Sequence, residues 1–378
     1  MKLILRPLLP LMLMLLAVAC EQPQPAATGG KAIRIGVIAP FSGTIFPQGK
    51  EGLKGIETAR NIQPLLETGE PIELVLKDDG NDPERSVKVL GELVRADQVA
   101  AVVTFSSSDA VLAMAAVADT HGTPILAALA THPKVTAGNA FISQVCFSDD
   151  FQGKVAALFV RDELLMDRVA VFNNPESRYS SNLANTFKQK FISLDGRITD
   201  SVKIEGSVKD LTPILQSLRA KDPELLYMPI DEEDVIRVLK IADGMDWRPQ
   251  VMGSDGLLAN MVTQHSQDLH LLEGMLSSDF FHSDMQLTPY GKKISSVYEG
   301  KGTTFSVLGV ESYAILIHAM NRCRDPRDRQ SLNTAIRETR NFVGVTGHIS
   351  ITADGKAQRP LVINTIKRGR LKFRVQVY

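Results

Sequence analysis

The run IRIGVI at residues 33–38 decides the fold of this chain, because it begins a repeating rhythm of strands and helices. It is short, rich in β-branched residues and ends before Pro40, which is typical of a buried strand. The predicted strands cover residues 33–38, 72–76, 99–103 and 123–128, and the predicted helices cover 51–62, 83–96 and 110–120. Strands that are apolar throughout and alternate with helices predict a parallel sheet covered on both faces, and hence a doubly wound α/β domain.

The same rhythm starts again after Phe147. The predicted strands of this second half cover residues 168–172, 198–204, 225–228 and 250–253, and the predicted helices cover 180–191, 211–220 and 234–244. Two similar halves predict two doubly wound lobes. Ligands of such sheets bind outside the carboxyl ends of the strands. In a two-lobed protein these two surfaces can face each other across a cleft.

The N-terminal segment predicts export. Lys2 and Arg6 are the only charges before an apolar run at residues 8–19, which is shorter than the roughly 20 residues of a membrane-spanning helix. We interpret residues 1–19 as a secretory signal peptide. The sequence LAVAC at residues 16–20 resembles a bacterial lipobox, which implies a lipid on Cys20, whereas the alternative is an ordinary signal cleavage beside a chance cysteine. Residues 20–30, rich in Pro, Gln, Ala, Thr and Gly, have the composition of a flexible tether.

Composition limits the classes of partner. The chain has 378 residues, enough for two domains after the leader is removed, and its 42 Lys and Arg residues balance 43 Asp and Glu residues to a formal net charge of -1. A nucleic-acid partner would require a clustered basic excess, so none is expected. Cys146 and Cys323 are the cysteines that remain besides Cys20. They could pair in an oxidising compartment or remain two isolated buried thiols.

Catalytic and metal-binding motifs are absent from the sequence. There is no Gly-x-Ser-x-Gly elbow, no phosphate-binding loop, no strand-linked Gly-x-Gly-x-x-Gly and no Cys/His cluster with metal-ligand spacing. The adjacent Asp78 and Asp79 are interpreted as a solvated loop, or as a cap for the helix that starts at Pro83, rather than as a catalytic pair. We therefore expect no enzyme activity, no catalytic residue, no metal and no cofactor.

Six motifs, in chain order, resemble those of the leucine/isoleucine/valine-binding protein family. They are IGVIAPFSG at 35–43, KDDGNDP at 77–83, SSS at 106–108, SDDFQG at 148–153, MGSDG at 252–256, and FVGVTG at 342–347 followed by Asp354-Gly355. Each motif alone is weak, but their order and spacing span nearly the whole mature chain. The resemblance implies a type I periplasmic-binding fold, with two doubly wound, Rossmann-like lobes joined by a three-strand hinge.

The resemblance also implies three hinge crossings. We place them near Cys146–Phe147, near Gly274–Ser277 and near Val345–Gly347. Lobe 1 is then expected to comprise residues 31–146 plus 277–345, and lobe 2 residues 147–276 plus 346–378. Closure of the lobes about such a hinge is a known route of ligand capture.

The family resemblance assigns a carboxylate seat to two strand-end loops. Ser107 and Ser108 lie between a predicted strand and a helix, where serines cap the helix and its free N–H groups attract anions. In the family a serine at this place binds the α-carboxylate of the ligand, together with a backbone group and a threonine hydroxyl that correspond to Leu129 and Thr131. The alternative for Thr131 is a cap of the turn before Pro133.

The ammonium group and the side chain of the ligand are expected at other loops. Asp255 takes the place of the family's acidic residue for the ammonium, and its alternative is a turn-forming Asp-Gly pair. Tyr179 either contacts the ligand or packs the start of its helix. Asp231 either complements a helix dipole or faces the cleft, where it would favour an extra positive charge, a polyamine-like ligand or a polar amide. Phe46 and Gln48, in the first loop, are expected to touch the ligand side chain.

These expectations combine into one function with one alternative. The chain is expected to be a receptor on the periplasmic side, lipid-anchored to a bacterial membrane. It would bind a small molecule, an amino acid or a derivative, between the lobes and deliver it to an ABC importer with its permease in the inner membrane. The alternative is a ligand-sensing or regulatory envelope lipoprotein of the same fold without a transport role.

Overall fold

A computed structural model describes residues 31–43, 45–205, 210–298 and 302–377. The predicted signal peptide, tether and lipidated Cys20 lie outside these residues. In the described part of the chain, no helix has the length and apolar character required to cross a membrane.

Five parallel strands form the first sheet, in the order β2-β1-β3-β4-β5. Ile35 of the central strand pairs with Leu74 on one side and Ala101 on the other. The elements are β1 Ile33–Ala39, α1 Phe46–Ile62, β2 Ile72–Asp78, α2 Pro83–Arg95, β3 Ala101–Thr104, α3 Ser108–His121, β4 Ile125–Ala127 and β5 Ile142–Gln144. The predicted alternation is therefore confirmed, although α1 begins five residues before its predicted start, where Pro47 suits the first turn of a helix.

Seven strands form the second sheet, in the order β15-β14-β10-β9-β8-β6-β7. The five strands from β6 to β10 run parallel to one another. At one edge, β14 pairs antiparallel with β10, and β15 pairs antiparallel with β14. Its first elements are α4 Asp149–Leu158, β6 Arg168–Asn173, α5 Arg178–Ser193, β7 Arg197–Lys203, α6 Thr212–Ala220, β8 Leu225–Met228, α7 Glu232–Gly244, β9 Gln250–Gly253, α8 Leu257–Gln264 and β10 Leu276–Asp279. Two doubly wound sheets are thus the architecture that the sequence predicted.

The remaining segment returns to the first sheet before it completes the second. Helix α10 is almost entirely buried and packs against α1 so closely that a Cβ atom on Gly309 would overlap the carbonyl oxygen of Gly52. The last elements are α9 Pro289–Val297, α10 Thr304–Met320, α11 Arg329–Arg337, β11 Phe342–Val343, β12 His348–Ile351, β13 Ala357–Gln358, β14 Leu361–Lys367 and β15 Arg370–Val377. The sequence rhythm did not predict the helices of this segment.

Two hydrogen bonds bear on the predicted third crossing near Val345–Gly347. The β12–β13 hairpin lies on the first-sheet side, because Gln144 N–H donates to the carbonyl of Gly355 and Ile351 N–H donates to that of Thr339. A boundary at residue 346 would separate this hairpin from its hydrogen-bond partners. For the second crossing, the pairing of β10 with β14 up to Asp279 supports a position after that residue. We propose that the first lobe covers about residues 31–145 and 280–358, and the second about 147–279 and 359–377.

The two described cysteines do not form a disulfide. Cys146 is fully buried and its thiol donates to the carbonyl oxygens of Ala127 and Ala130, and burial raises the pKa of the thiol well above its usual value. Cys323 is half-buried in the turn that follows α10, and its thiol donates to the carbonyl of Ala319. Of the two alternatives left by the sequence, the structure has separate thiols.

Candidate functional site

The loop after β3 carries the predicted serines. Ser107 is the N-cap of α3, yet its side chain makes no capping hydrogen bond, and its N–H donates to Asn81 Oδ1 at 2.7 Å. Ser108 is buried and its Oγ accepts from the N–H of His132 at 3.2 Å. The Ser107 hydroxyl is therefore the one that the helix cap leaves available beside the free N–H groups of α3.

Asp79 holds this serine loop in place. Its carboxylate is fully buried and accepts hydrogen bonds from the hydroxyls of Ser86 and Ser106 and from the N–H of Asn81. The cap of α2 is Asp82, which accepts from the N–H of Arg85 at 2.7 Å. The interpretation of Asp79 as a solvated or capping residue was therefore wrong. Its buried oxygens accept hydrogen bonds that connect its own loop, after β2, to Ser106 in the loop after β3.

The loop after β4 connects the two halves of the site. Leu129 is half-buried and Thr131 is buried. The carbonyl oxygen of Thr131 accepts from the N–H of Asp149 at 2.9 Å, at the start of α4. The Thr131 hydroxyl lies close enough to the Asp149 carboxyl to favour its ionised form, but has no well-aligned hydrogen-bond partner.

Asp255 and Tyr179 form the second part of the site. Tyr179 donates its hydroxyl hydrogen bond to Asp255 Oδ1 at 2.6 Å, and the side chain of Gln152 also contacts this carboxyl. Burial raises the pKa of Asp255, while the bonds from Tyr179 and Gln152 act in the opposite direction. Gly256 has a φ of 73°, so the Asp-Gly turn is present as well. The turn interpretation of Asp255 is therefore confirmed, and the turn aims its side chain at Tyr179. Its role as the partner of an ammonium group stays a prediction.

Asp149 is the site residue that the sequence analysis missed. It is the first residue of α4 and is fully buried, and neither of its carboxylate oxygens has an aligned hydrogen-bond partner. Burial raises its pKa well above the usual value, and the nearby negative charge of Asp255 raises it further. An acidic residue in the first turn of a helix normally complements the dipole from an exposed position. The sequence therefore carries no signal that separates Asp149 from an ordinary surface acid.

Other polar groups near these two carboxyls are also incompletely bonded. The hydroxyl of Tyr227, on β8, is buried without a partner, and its pKa is raised well above the usual value by burial and by Asp149 and Asp255. Gln152 donates to Ser278 Oγ at 2.7 Å but its own carbonyl oxygen is unpaired. Buried polar groups without partners are costly, so their concentration here marks a place that needs an occupant.

Three predicted residues lie apart from this group. Asp231 is the N-cap residue of α7, but its side chain makes no capping hydrogen bond, and much of the residue is exposed. The pKa of its carboxyl is raised, first by partial loss of solvent around the carboxyl and then by the charge of Asp234. Phe46 begins α1 with 40% of its surface exposed, and Gln48 is half-buried with an unpaired carbonyl oxygen. Among the described residues, no hydrogen bond connects any of the three to Asp149 or Asp255.

The start of α3 and the start of α5 meet across the two sheets. Arg178 Nε lies 3.2 Å from Asp109 Oδ1, and both side chains remain partly exposed. Asp109 follows the predicted serines by one residue and Arg178 precedes Tyr179. This ion pair therefore brings the serine loop after β3 close to the start of α5, next to Tyr179.

The cavities of the structure and its buried unpaired carboxyl lie in different places. Two cavities of about 170 and 350 Å³ lie elsewhere, one beside Leu287 and Val310 and one beside Trp247 and Gln250. Neither is lined by a predicted site residue. We assign the site by chemistry, because unpaired buried carboxyls are a stronger sign of a ligand than empty volume. Within the described ranges, no cluster of three or more His, Cys, Asp or Glu residues is placed to hold a metal ion.

Comparison with known proteins agrees with this architecture. A family model described as "Periplasmic binding protein" matches residues 32–370. An amino acid binding protein of Pseudomonas aeruginosa is 24% identical over 310 residues, covering 79% of this chain and 82% of that protein.

Solved structures show the same fold. The crystal structure of the leucine binding protein LivK from Thermotoga maritima has a TM-score of 0.84 and 28% identity, covering 92% of this chain and 99% of that one. A solute binding protein of Rhodopseudomonas palustris in complex with 3,4-dihydroxybenzoic acid has a TM-score of 0.80 at 18% identity, covering 92% of this chain and 96% of that one. The chain therefore belongs to the periplasmic binding protein family, as a non-enzymatic, extracytoplasmic solute-binding protein of the ABC-transporter type.

Proposed function

We propose that the protein binds an α-amino acid, or a close derivative, in the cleft between the lobes and delivers it to an ABC permease in the inner membrane. The observation that carries the proposal is the fully buried carboxyl of Asp149 together with the half-buried Asp255, without a cationic partner among the described residues. Such an acidic pair is stabilised by a positive charge. The α-ammonium of an amino acid supplies it.

The opposite end of an amino acid matches the serine loop. We assign its carboxylate to the Ser107 hydroxyl and the first N–H groups of α3, with Ser108, Leu129 and Thr131 completing the seat. The free cap hydroxyl of Ser107 and the positive end of the helix dipole support this assignment. The ion pair between Asp109 and Arg178 supports a short distance between the two ends of the site.

The ligand side chain is proposed to extend toward Phe46, Gln48 and Asp231. The unpaired carbonyl oxygen of Gln48 and the exposed ring of Phe46 support a contact there with a partly polar side chain. An aromatic acid, as bound by the Rhodopseudomonas protein, lacks an ammonium group. It would leave the two acids without a counter-charge, so the acidic pair favours an amino acid, in line with the names of the Pseudomonas and Thermotoga proteins.

A lipid on Cys20 is the proposed anchor. The segment at residues 20–30 would then tether the two lobes to a membrane and keep the receptor near its permease. Radiolabelled palmitate fed to cells that express the full chain should label the wild type and not the Cys20→Ser variant. Equal labelling of both would contradict the lipid anchor and leave the ligand assignment untouched.

A thermal-shift screen tests the ligand class. The chain from residue 31 would be heated with amino acids, their amides and esters, polyamines and aromatic acids, because a ligand that binds only the native state raises the melting temperature. We expect shifts with free α-amino acids that are much smaller with the amide or the ester. Shifts confined to aromatic acids, or no shift at all, would contradict the proposal.

A further inference from the structure

Asp149 and Asp255 belong to one cluster of polar side chains. Asp149 begins α4 and Asp255 lies in the loop after β9. Gln152, one turn after Asp149 on α4, contacts the Asp255 carboxyl, and the negative charge of Asp255 acts on Asp149. Asp255 has one strong partner, the hydroxyl of Tyr179. The polar groups close to the fully buried Asp149 carboxyl are the Thr131 hydroxyl and the Asn182 amide, and neither carboxyl oxygen has an aligned hydrogen bond. None of these groups is positively charged, so they do not supply a counter-charge for Asp149.

The titratable groups that the structure describes around the pair do not include a cation. They are Asp150 on α4, Cys146 after β5, Tyr179 on α5, Tyr227 on β8 and Asp279 on β10. Arg359 is a cation that acts on this region through its influence on Cys146. Arg359 Nη1 lies 2.8 Å from Glu311 Oε2, and both of these side chains are fully buried. Its charge is therefore already matched.

A fully buried carboxylate beside a second carboxylate is costly to ionise without a counter-charge. Like charges at close range raise the affinity of the pair for one proton, which the two groups then titrate jointly. Burial raises the pKa of both Asp149 and Asp255, which acts in the same direction. A cation that binds beside the pair replaces this proton.

We propose that the Asp149–Asp255 pair holds one proton in the free protein and releases it to solvent when the ammonium group of an amino acid binds. This inference rests on the proposed function. It makes binding dependent on pH, since affinity should rise by up to about tenfold per pH unit while the free pair is protonated, and level off once it has ionised. Uptake would then be favoured at neutral over acidic pH.

The first test concerns the free protein and needs no ligand. Infrared spectra of the wild type near neutral pH should contain the carbonyl band of a protonated carboxyl that is reduced in Asp149→Asn and in Asp255→Asn. Asp246→Asn is the matched control, because Asp246 is exposed and has a positive φ of 51° that asparagine tolerates. Equal bands in all four proteins would overturn the inference.

The second test measures the proton itself. L-Leucine, L-lysine and L-glutamine would be titrated calorimetrically in phosphate and in Tris, whose ionisation enthalpies differ. For any of them that binds, the wild type and the Asp246→Asn control should release about one proton per ligand, and Asp149→Asn close to none. Binding with the same enthalpy in both buffers would overturn the coupling while leaving the amino-acid assignment intact.

The two tests separate the inference from the proposed function. If none of the three amino acids binds, the proposed amino-acid function is contradicted, and the infrared band alone decides whether the pair shares a proton. A band that disappears on addition of L-leucine, L-lysine or L-glutamine supports both.

Discussion

Asp79, in the loop after β2, and Asp149, at the start of α4, are two fully buried aspartates whose hydrogen-bond partners differ. Asp79 accepts hydrogen bonds from Ser86, Ser106 and the N–H of Asn81. Asp149 has no aligned partner for either oxygen. A buried carboxylate that accepts hydrogen bonds from the chain stabilises its loops. A buried carboxylate without such bonds is energetically unfavourable, and a bound ligand can remove that penalty.

The largest expected effect is on stability at Asp79. Asp79→Asn replaces one acceptor oxygen by an NH2 group, so either the Asn81 N–H or the hydroxyls of Ser86 and Ser106 lose their acceptor. We expect the free energy of unfolding to fall by about 3 kcal/mol in urea denaturation. Asp82→Asn is the matched control, because asparagine caps a helix as well as aspartate does. Equal losses in both variants would break the comparison.

The next effect is on binding at Asp149. Asp149→Asn should change the free energy of unfolding by less than about 1 kcal/mol, since the pocket already disfavours the charge. Affinity for the best-binding amino acid of the thermal-shift panel should fall about thirtyfold, through the loss of a charge-assisted contact of about 2 kcal/mol. Calorimetry checks the affinity and urea denaturation the stability. A strong loss of stability with unchanged affinity would reverse the roles of Asp79 and Asp149.

A third buried acid, Asp279, sharpens the comparison through pH. Burial raises its pKa to about 7, although the hydroxyl of Thr304 and the N–H of Phe280 donate to it. A carboxyl with a raised pKa binds its proton more tightly in the folded state, so the folded state is favoured at low pH. Its contribution to stability should decrease from about pH 4 to pH 7 and then stay constant.

Urea denaturation across that range checks this dependence on pH. Asp279→Asn should remove part of the decrease, by about 1–2 kcal/mol. A wild-type and a variant curve of equal slope would show that Asp279 is ionised throughout. In that case the hydrogen bonds from Thr304 and Phe280 outweigh its burial.

The smallest effect is expected at the rim of the cleft. Arg178→Ala removes the partly exposed ion pair with Asp109 and should weaken amino-acid binding by about 0.5 kcal/mol at low salt. The difference should vanish at high ionic strength, because salt screens exposed charges. Calorimetry at two salt concentrations checks this result. A large loss that is independent of salt would mean that Arg178 contacts the ligand itself.

Much of the site could be predicted from sequence, since Ser107, Thr131 and Asp255 follow strands and Tyr179 lies near the start of a helix that follows one. Parallel strands bring their carboxyl ends to one edge, so residues at these places meet whatever the details of packing. Asp149 follows the same rule but is indistinguishable in sequence from a dipole-complementing acid. The short strand β5 was missed because its three residues carry no periodicity.

The alternation of apolar strands and amphipathic helices determined by itself the two doubly wound lobes, because each such unit can bury its apolar surface in only one way. The order of its motifs also indicated the family. Only the tertiary structure decided which polar groups are satisfied. Whether Asp79 is anchored, whether Asp149 is left without a partner, and where the chain crosses between lobes all depend on atoms brought together from distant segments, and local sequence does not encode those contacts.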